Sequence, residues 1–429
     1  MRTLILCPLI VTKNWKDEFL KFSKVQGRDI LVLTKSGKRR EKDLYDATFD
    51  GQGLTRGKIG ITNYESMQME SFVKMLHEWN PEILVCDESH RLKNFKSKRA
   101  KEVVKLSDEA QHVYILTGTP IINNPLDVYN QFRVLDGGST FGQNPYIFRN
   151  TFLEDENSAW AGKQNYFPKW VPRPEKFPEL NDRIYKKAIR VVKDECMDLP
   201  PLVRQTVHVE LSAEQERMYK EMRDEYVTYV ESLKKSSEPF AVIAQLAITK
   251  SLRLQQIVSG YAKDVNNGIH WIKENPRLHA LGELCEDLVD QHKVIIWATF
   301  RENYKMIGEM LTKMKVPYAE LHGEISKGER DEMVRRFRQD QDCRVIVANQ
   351  AAAGIGINLT EASYSLFYSR NFSLEQDLQA EARNYRGGSE MHRSVTRVDL
   401  VAPNTIDELI SDALAKKQDV ATKILDWRL

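Results

Sequence analysis

The sequence predicts an α/β protein of two lobes, each a parallel sheet flanked by helices, with helical insertions added to them. Three observations carry this reading. Short apolar runs alternate with polar, helix-like stretches, the βαβ rhythm of a parallel sheet, and the series occurs twice. One run, ILVCDESH at residues 83–90, passes directly from four apolar residues into two adjacent carboxylates, as a buried central strand does when it ends in acid.

In the first series the runs are Thr3–Cys7, Ile30–Leu33, Lys58–Thr62, Ile83–Cys86 and Val113–Leu116. The opening MRTLILCPLIV imitates a secretion signal, but Pro8 interrupts it and Lys13, Trp15 and Lys16 stand where small residues are needed, so Leu4–Cys7 reads as a strand. Residues 158–201 are rich in proline and aromatics, and Ala213–Ser259 is helical in pattern with Ser212 as its N-cap. The second series is Lys293–Trp297, Arg344–Ala348, Ser365–Tyr368 and Thr396–Val401, with helices expected at Glu302–Met314 and Lys327–Arg338. The expected division is 1–195 for the first lobe with its insertion, 196–275 for a connector and helical insertion, and 276–429 for the second lobe with a C-terminal helix.

Composition narrows the classes of function. A chain of 429 residues, 41% hydrophobic and 29% charged, is an ordinary globular protein of two to three domains, and no apolar stretch approaches the roughly 20 residues that span a bilayer. The net charge of +2 means that any nucleic-acid affinity comes from a local patch. Five cysteines, at 7, 86, 196, 285 and 343, form no CxxC pair, which fits a reducing compartment and not a structural zinc site.

Ligands in parallel sheets sit at the carboxyl ends of the strands, where Asp87 and Glu88 would stand. Such a pair can divide two tasks, one carboxylate holding Mg²⁺ through water and the other orienting an attacking water; the plainer reading is a solvated acidic turn. Thr117 and Thr119, in the turn after another strand, have hydroxyls within reach of neighbouring carboxylates. Gly354 and Gly356 follow a strand and would let backbone approach a phosphate chain. Arg383 and Arg386, three apart, would project from one helix face, either toward a phosphoryl group or into ion pairs with Glu381 or Glu390. The run Arg91–Lys101 holds six basic residues, a DNA patch or a solvated basic helix. Trp15, Trp297 and Phe300 read as packing residues.

Taken in order, these segments resemble the motifs of superfamily two helicases, and within it the Swi/Snf-type DNA translocases. LILCPLIVTKNWKDEF (4–19), IGITNYES (59–66), VCDESHRLKN (85–94) and LTGTPIINN (116–124) are similar to that family's motifs Ia, Ib, II and III. VIIWATF (294–300), ELHGEISKGER (320–330), AAAGIGINLTEA (351–362) and QAEARNYRGG (379–388) are similar to its second-lobe motifs up to VI. The resemblance implies two RecA-like lobes and an ATPase that uses ATP and Mg²⁺ to move along DNA, expected to be duplex. It implies that Asp87 binds Mg²⁺, that Glu88 orients the hydrolytic water, and that Gln379, Arg383 and Arg386 reach the nucleotide phosphates. His90, Thr117, Thr119, Gly354 and Gly356 would line the nucleotide, and Arg91, Lys93, Asn94, Lys96, Lys98, Arg99 and Arg301 would meet DNA. Ala382 and Ser389 depart from the family's aspartate and glutamine, and Ser89 from its commoner alanine.

The family's phosphate-cradling loop, GxxxxGK followed by Ser or Thr, does not occur in the sequence, whose three Gly-Lys pairs precede Arg39, Ile59 and Gln164. The first lobe is therefore expected to be incomplete at its N-terminus. A fragment of a longer protein, a split enzyme with the loop on a separate chain, and a degenerate lobe are the alternatives. A non-hydrolysing DNA-binding or scaffold protein rivals the ATPase, and a nuclease built on Asp87 and Glu88 stands third. Little elaboration outside the lobes leads to the expectation of a viral or bacterial source and of an intracellular location, in the cytoplasm or, in a eukaryote, the nucleus.

Overall fold

The computed structural model describes residues 1–35, 38–48, 58–162, 166, 168–235, 240–264, 266, 268–353 and 357–425. The chain divides into two compact units, one of residues 1–190 with 417–429 and the other of residues 191–416. Each is built on a parallel sheet flanked by helices, the expected pair of RecA-like lobes.

The first sheet has the strands β1 (Thr3–Cys7), β2 (Ile30–Val32), β3 (Ile59–Asn63), β4 (Ile83–Asp87) and β5 (His112–Leu116), in the order β2-β3-β1-β4-β5. The period-two pattern of β1 divides the core. Leu4 and Leu6 join a cluster with Phe72, Leu76, Trp79, Val103 and Leu106 on one face, while Ile5 and Cys7 join Ile30, Ile59 and Ile61 on the other, against Trp15 and Phe19 of the helix α1 (Thr12–Phe22). Gly60 leaves room for the Trp79 ring, which a Cβ there would meet at 3.3 Å. An aromatic insertion follows β5, with Tyr129, Phe132, Phe141, Phe148 and Phe152 packed together. Ile424 is buried in that cluster, and Asn181 donates to its carbonyl at 2.6 Å. Residues 417–425 therefore belong with the first unit and not, as expected from the sequence, with the second.

The second sheet has six strands in the order Tyr318–Leu321, Val345–Asn349, Val294–Ala298, Tyr364–Phe367, Val395–Val401 and Leu202–His208, all parallel. Leu202–His208 lies within the stretch expected to be a connector, but it pairs along its whole length with Val395–Val401, so the sheet begins earlier than the sequence implied. Ser212 does cap the long helical stretch: its hydroxyl accepts from Gln215 N at 3.3 Å while the Gln215 side chain accepts from Ser212 N at 3.1 Å. Among the described residues no helix is long and apolar enough to cross a membrane.

Candidate functional site

β4 is central in its sheet, and the chain leaves it through Glu88, which adopts the left-handed conformation at φ 52° and ψ 50°. That geometry costs a non-glycine residue about 1–3 kcal/mol and is tolerated where the surroundings fix it. The turn lets Glu88 N donate to Asp87 Oδ1 at 2.9 Å. Trp15 Nε1 donates to Asp87 Oδ2 at 2.8 Å, and the Tyr64 hydroxyl donates to the Asp87 carbonyl at 2.7 Å. The Asp87 carboxyl is held above its ordinary range, chiefly by burial and also by the Glu88 charge, with the Trp15 bond pulling the other way.

After Glu88 the chain makes a short 3₁₀ turn, Ser89–Leu92, whose Ser89, His90 and Leu92 are buried. His90 Nδ1 lies 3.2 Å from Glu88 Oε2 and 3.1 Å from Thr117 Oγ1. Ser89 donates to Gln131 Oε1 at 2.8 Å, and Gln131 in turn donates to the Pro120 carbonyl at 2.7 Å. The acid turn and the Thr117–Pro120 turn are thus tied together through two side chains. Thr117 does this by meeting His90 and the Thr119 amide, the latter at 3.1 Å, rather than a carboxylate as the sequence led one to expect. Cys7 and Cys86 lie behind the site, with thiols pushed up to about 12 mainly by burial, too high to supply a thiolate.

Among the described residues no group of three or more His, Cys, Asp or Glu side chains is placed to hold a metal. The carboxylates of Asp87 and Glu88 are oxygen donors of the kind that fit a hard cation keeping part of its water shell, such as Mg²⁺. Both Asp87 oxygens accept from neutral N–H donors, so the carboxylate is oriented while its charge stays free for a cation.

The second unit arranges its charges differently. The helix Leu374–Glu381, capped by Ser373, ends before the two arginines, because Arg383 N bonds back to Ala380 O at 3.1 Å and the ladder changes from four-residue to three-residue spacing. Arg383 and Arg386 therefore do not share a helix face. Arg383 is buried and donates to the main-chain carbonyls of Gln379 at 2.8 Å and Ile357 at 3.1 Å, whereas Arg386 is exposed. Gln379 is half-buried on the helix. Gly354 and Gly356 lie outside the described residues.

Behind this segment Arg397 forms a buried network that the sequence did not reveal. It donates to both Asp377 oxygens at 2.9 and 3.0 Å, to Glu381 at 3.2 Å and to Asp399 at 3.1 Å, and its guanidinium lies 3.9 Å from the centre of the Phe367 ring. Burial alone would lower its affinity for a proton, but Asp399, Asp377 and Glu381 outweigh that and raise it. Arg204 adds a bidentate bond to Glu381 at 2.8 and 3.1 Å.

The expected DNA residues fall into two groups. Arg91 and Arg99 both face Glu65, at 3.2 and 3.9 Å; burial would raise that carboxyl, but the Asn63 amide and the two arginines hold it below its usual range. Lys98 pairs with Glu70 at 2.6 Å and Arg301 with Glu324 at 2.9 Å. Asn94 and Lys96 are exposed, Lys93 is half-buried, and the Lys96 ammonium lies 5.9 Å from the Phe95 ring centre.

Sequence reasoning missed Trp15, Tyr64 and Gln131 as site residues. The Trp15 ring packs as the sequence predicts, 5.9 Å from that of Phe19, but its N–H is spent on Asp87.

Comparison with known proteins agrees with the motifs. Residues 1–259 match the SNF2-related domain and residues 277–388 the helicase conserved C-terminal domain. The chain is 25% identical to TATA-binding protein-associated factor MOT1 of Saccharomyces cerevisiae, over 99% of its own length and 24% of that protein's. It is 27% identical to chromodomain-helicase-DNA-binding protein 1-like of Danio rerio (99% and 39%) and 24% identical to the uncharacterized ATP-dependent helicase MG018 of Mycoplasma genitalium (99% and 37%). It thus spans between about a quarter and two-fifths of these relatives. Two of the three are eukaryotic, so they lend no weight to a viral or bacterial source. Of solved structures, the Sulfolobus solfataricus SWI2/SNF2 ATPase core in complex with dsDNA is 26% identical, covering 99% of this chain and 82% of that one, with a TM-score of 0.44. The first family match alone takes in 259 of the 429 residues, and the chain belongs to the SNF2-related domain family.

Proposed function

We propose that the chain is the motor of a DNA-dependent ATPase that uses ATP and Mg²⁺ to translocate along duplex DNA. The observation that carries this reading is the pair Asp87 and Glu88 at the carboxyl end of a central parallel strand, with Asp87 oriented by neutral donors and Glu88 held out by its own left-handed backbone. In this reading Asp87 holds the cation's water shell and Glu88, with His90 and Thr117 behind it, orients the attacking water. Arg386 supplies positive charge to the phosphoryl oxygens, and Arg383 and Gln379 shape the segment that carries it. The names of the relatives, a DNA-binding helicase and an ATP-dependent helicase among them, point the same way.

We further propose that the phosphate-cradling loop comes from outside these 429 residues, from an adjoining segment or a separate chain. Two observations support this. The GxxxxGK[ST] pattern is absent from the sequence, and β5, next to the acid strand, is an edge strand exposing Tyr114 at 56% and Leu116 at 45%, a surface suited to a further strand.

The test is Mg²⁺-dependent ATP hydrolysis by the chain, with and without duplex DNA, beside Glu88→Gln. DNA-stimulated turnover that disappears in the variant supports the ATPase and refutes the need for an outside loop. Silence that ends when the preceding coding segment or a neighbouring small chain is added supports both proposals. Silence under every condition, with DNA affinity indifferent to ATP and Mg²⁺, favours the non-hydrolysing DNA-binding reading.

A further inference from the structure

Trp15 sits on α1, packed on one face of the first sheet, and spends its indole N–H on the carboxylate proposed to serve the cation. Three features set this apart from incidental packing. The bond is 2.8 Å long and joins residues 72 positions apart in the chain. It falls on Oδ2, the oxygen that the Glu88 amide leaves open, so the two donors together fix the rotation of the carboxyl group about its Cβ–Cγ bond. The indole is also a donor that can neither accept a bond nor carry charge. A lysine in its place would neutralise Asp87 and compete with a cation; a hydroxyl could turn and accept instead. The ring is pinned by Phe19 and by the apolar cluster of Ile5, Ile30, Ile59 and Ile61, so the N–H direction is set by the core and not by solvent.

We infer that Trp15 is a positioning residue for the acid site, holding the Asp87 carboxylate in the orientation that receives the cation's water shell. The inference rests on the ATPase reading above. Outer partners of this kind typically contribute a factor of 10–100 to metal affinity, because they restrict a ligand that otherwise rotates.

Two replacements separate the N–H from the ring: Trp15→Phe, and substitution of Trp15 by 3-benzothienylalanine, which keeps the shape and puts sulfur where the N–H was. The first readout is the indole resonance in ¹H–¹⁵N spectra of the whole chain. One indole signal should vanish in Trp15→Phe, and that same signal should move in Asp87→Asn. The second is Mn²⁺ affinity measured by electron paramagnetic resonance in the presence of ADP, on the chain together with the preceding coding segment or neighbouring small chain that supplies the loop, expected to weaken about tenfold or more in both replacements, with the thermal midpoint of the benzothienyl form unchanged. An indole signal indifferent to Asp87→Asn, or Mn²⁺ affinity in the benzothienyl form equal to wild type, overturns the inference and leaves the ATPase reading standing. A wild-type chain that takes up no Mn²⁺ with ADP even when the loop-bearing segment is supplied overturns both, since the cation that Trp15 is inferred to serve is then missing.

Discussion

The end of β4 in the first unit and the segment after Leu374–Glu381 in the second both concentrate charge, and they handle it in opposite ways. Asp87 accepts hydrogen bonds from neutral N–H donors, whereas Arg397, Arg204 and Arg370 are paired with Asp377, Glu381 and Asp399. Between these extremes Arg383 is spent on carbonyls, while Arg386 is exposed. Residue type alone does not identify a working charge. Its partners bear on it: a charge met by its opposite is committed to an ion pair, whereas Asp87, met by neutral donors, has no counter-ion in its hydrogen bonds.

This contrast makes unequal demands on mutants. Arg386→Ala should lower DNA-stimulated ATP hydrolysis by a factor on the order of 10³–10⁵ with an unchanged unfolding midpoint, and retention of a tenth of wild-type turnover would remove Arg386 from the chemistry. Glu88→Gln should cost on the order of 10²–10⁴ in turnover while DNA affinity persists; a matching loss of DNA affinity would make Glu88 a structural residue. Arg397→Met, which removes the cation shared by three buried or half-buried carboxylates and leaves them to Arg204 and Arg370, should destabilise the second unit by about 3–5 kcal/mol in urea titrations, and an unchanged midpoint would mean the network carries no net stability. Arg383→Ala should lose about 1–3 kcal/mol of stability along with turnover, which separates it from Arg386. The smallest effect belongs to the surface. Lys96→Ala should reduce the slope of log affinity for duplex DNA against log salt by about one, whereas Lys98→Ala, whose ammonium already pairs with Glu70, should change it less.

Much of the frame was legible in the sequence. Nine expected strands coincide with observed ones to within a residue at most ends, because uninterrupted apolar runs admit few other structures. Two strands of the two large sheets escaped: Tyr318–Leu321 is short and broken by Glu320, and Leu202–His208 shows mostly exposed residues, as an edge strand does. Asp87 and Glu88 were readable because strand and acid adjoin in sequence. Trp15 was not, since its partner lies 72 residues away and tryptophan on a half-buried helix face usually means packing. The end of the helix before Arg383 was equally hidden: the first glycine comes only at Gly387, and the stop is made by backbone contacts, including Leu359 N to Arg383 O at 3.0 Å, that no local pattern encodes.

The edge strand β5 has a practical consequence for anyone handling the protein. Its sequence, HVYIL, contains no lysine, proline or glycine, the usual devices that keep an edge from templating strands of other molecules. At the concentrations of purification such an edge promotes aggregation through strand addition, and the hazard grows with protein concentration and not with temperature alone. Tyr114→Lys places a charge on that strand, away from the acid turn, and should keep the chain monodisperse at the expense of the surface proposed to receive a further strand.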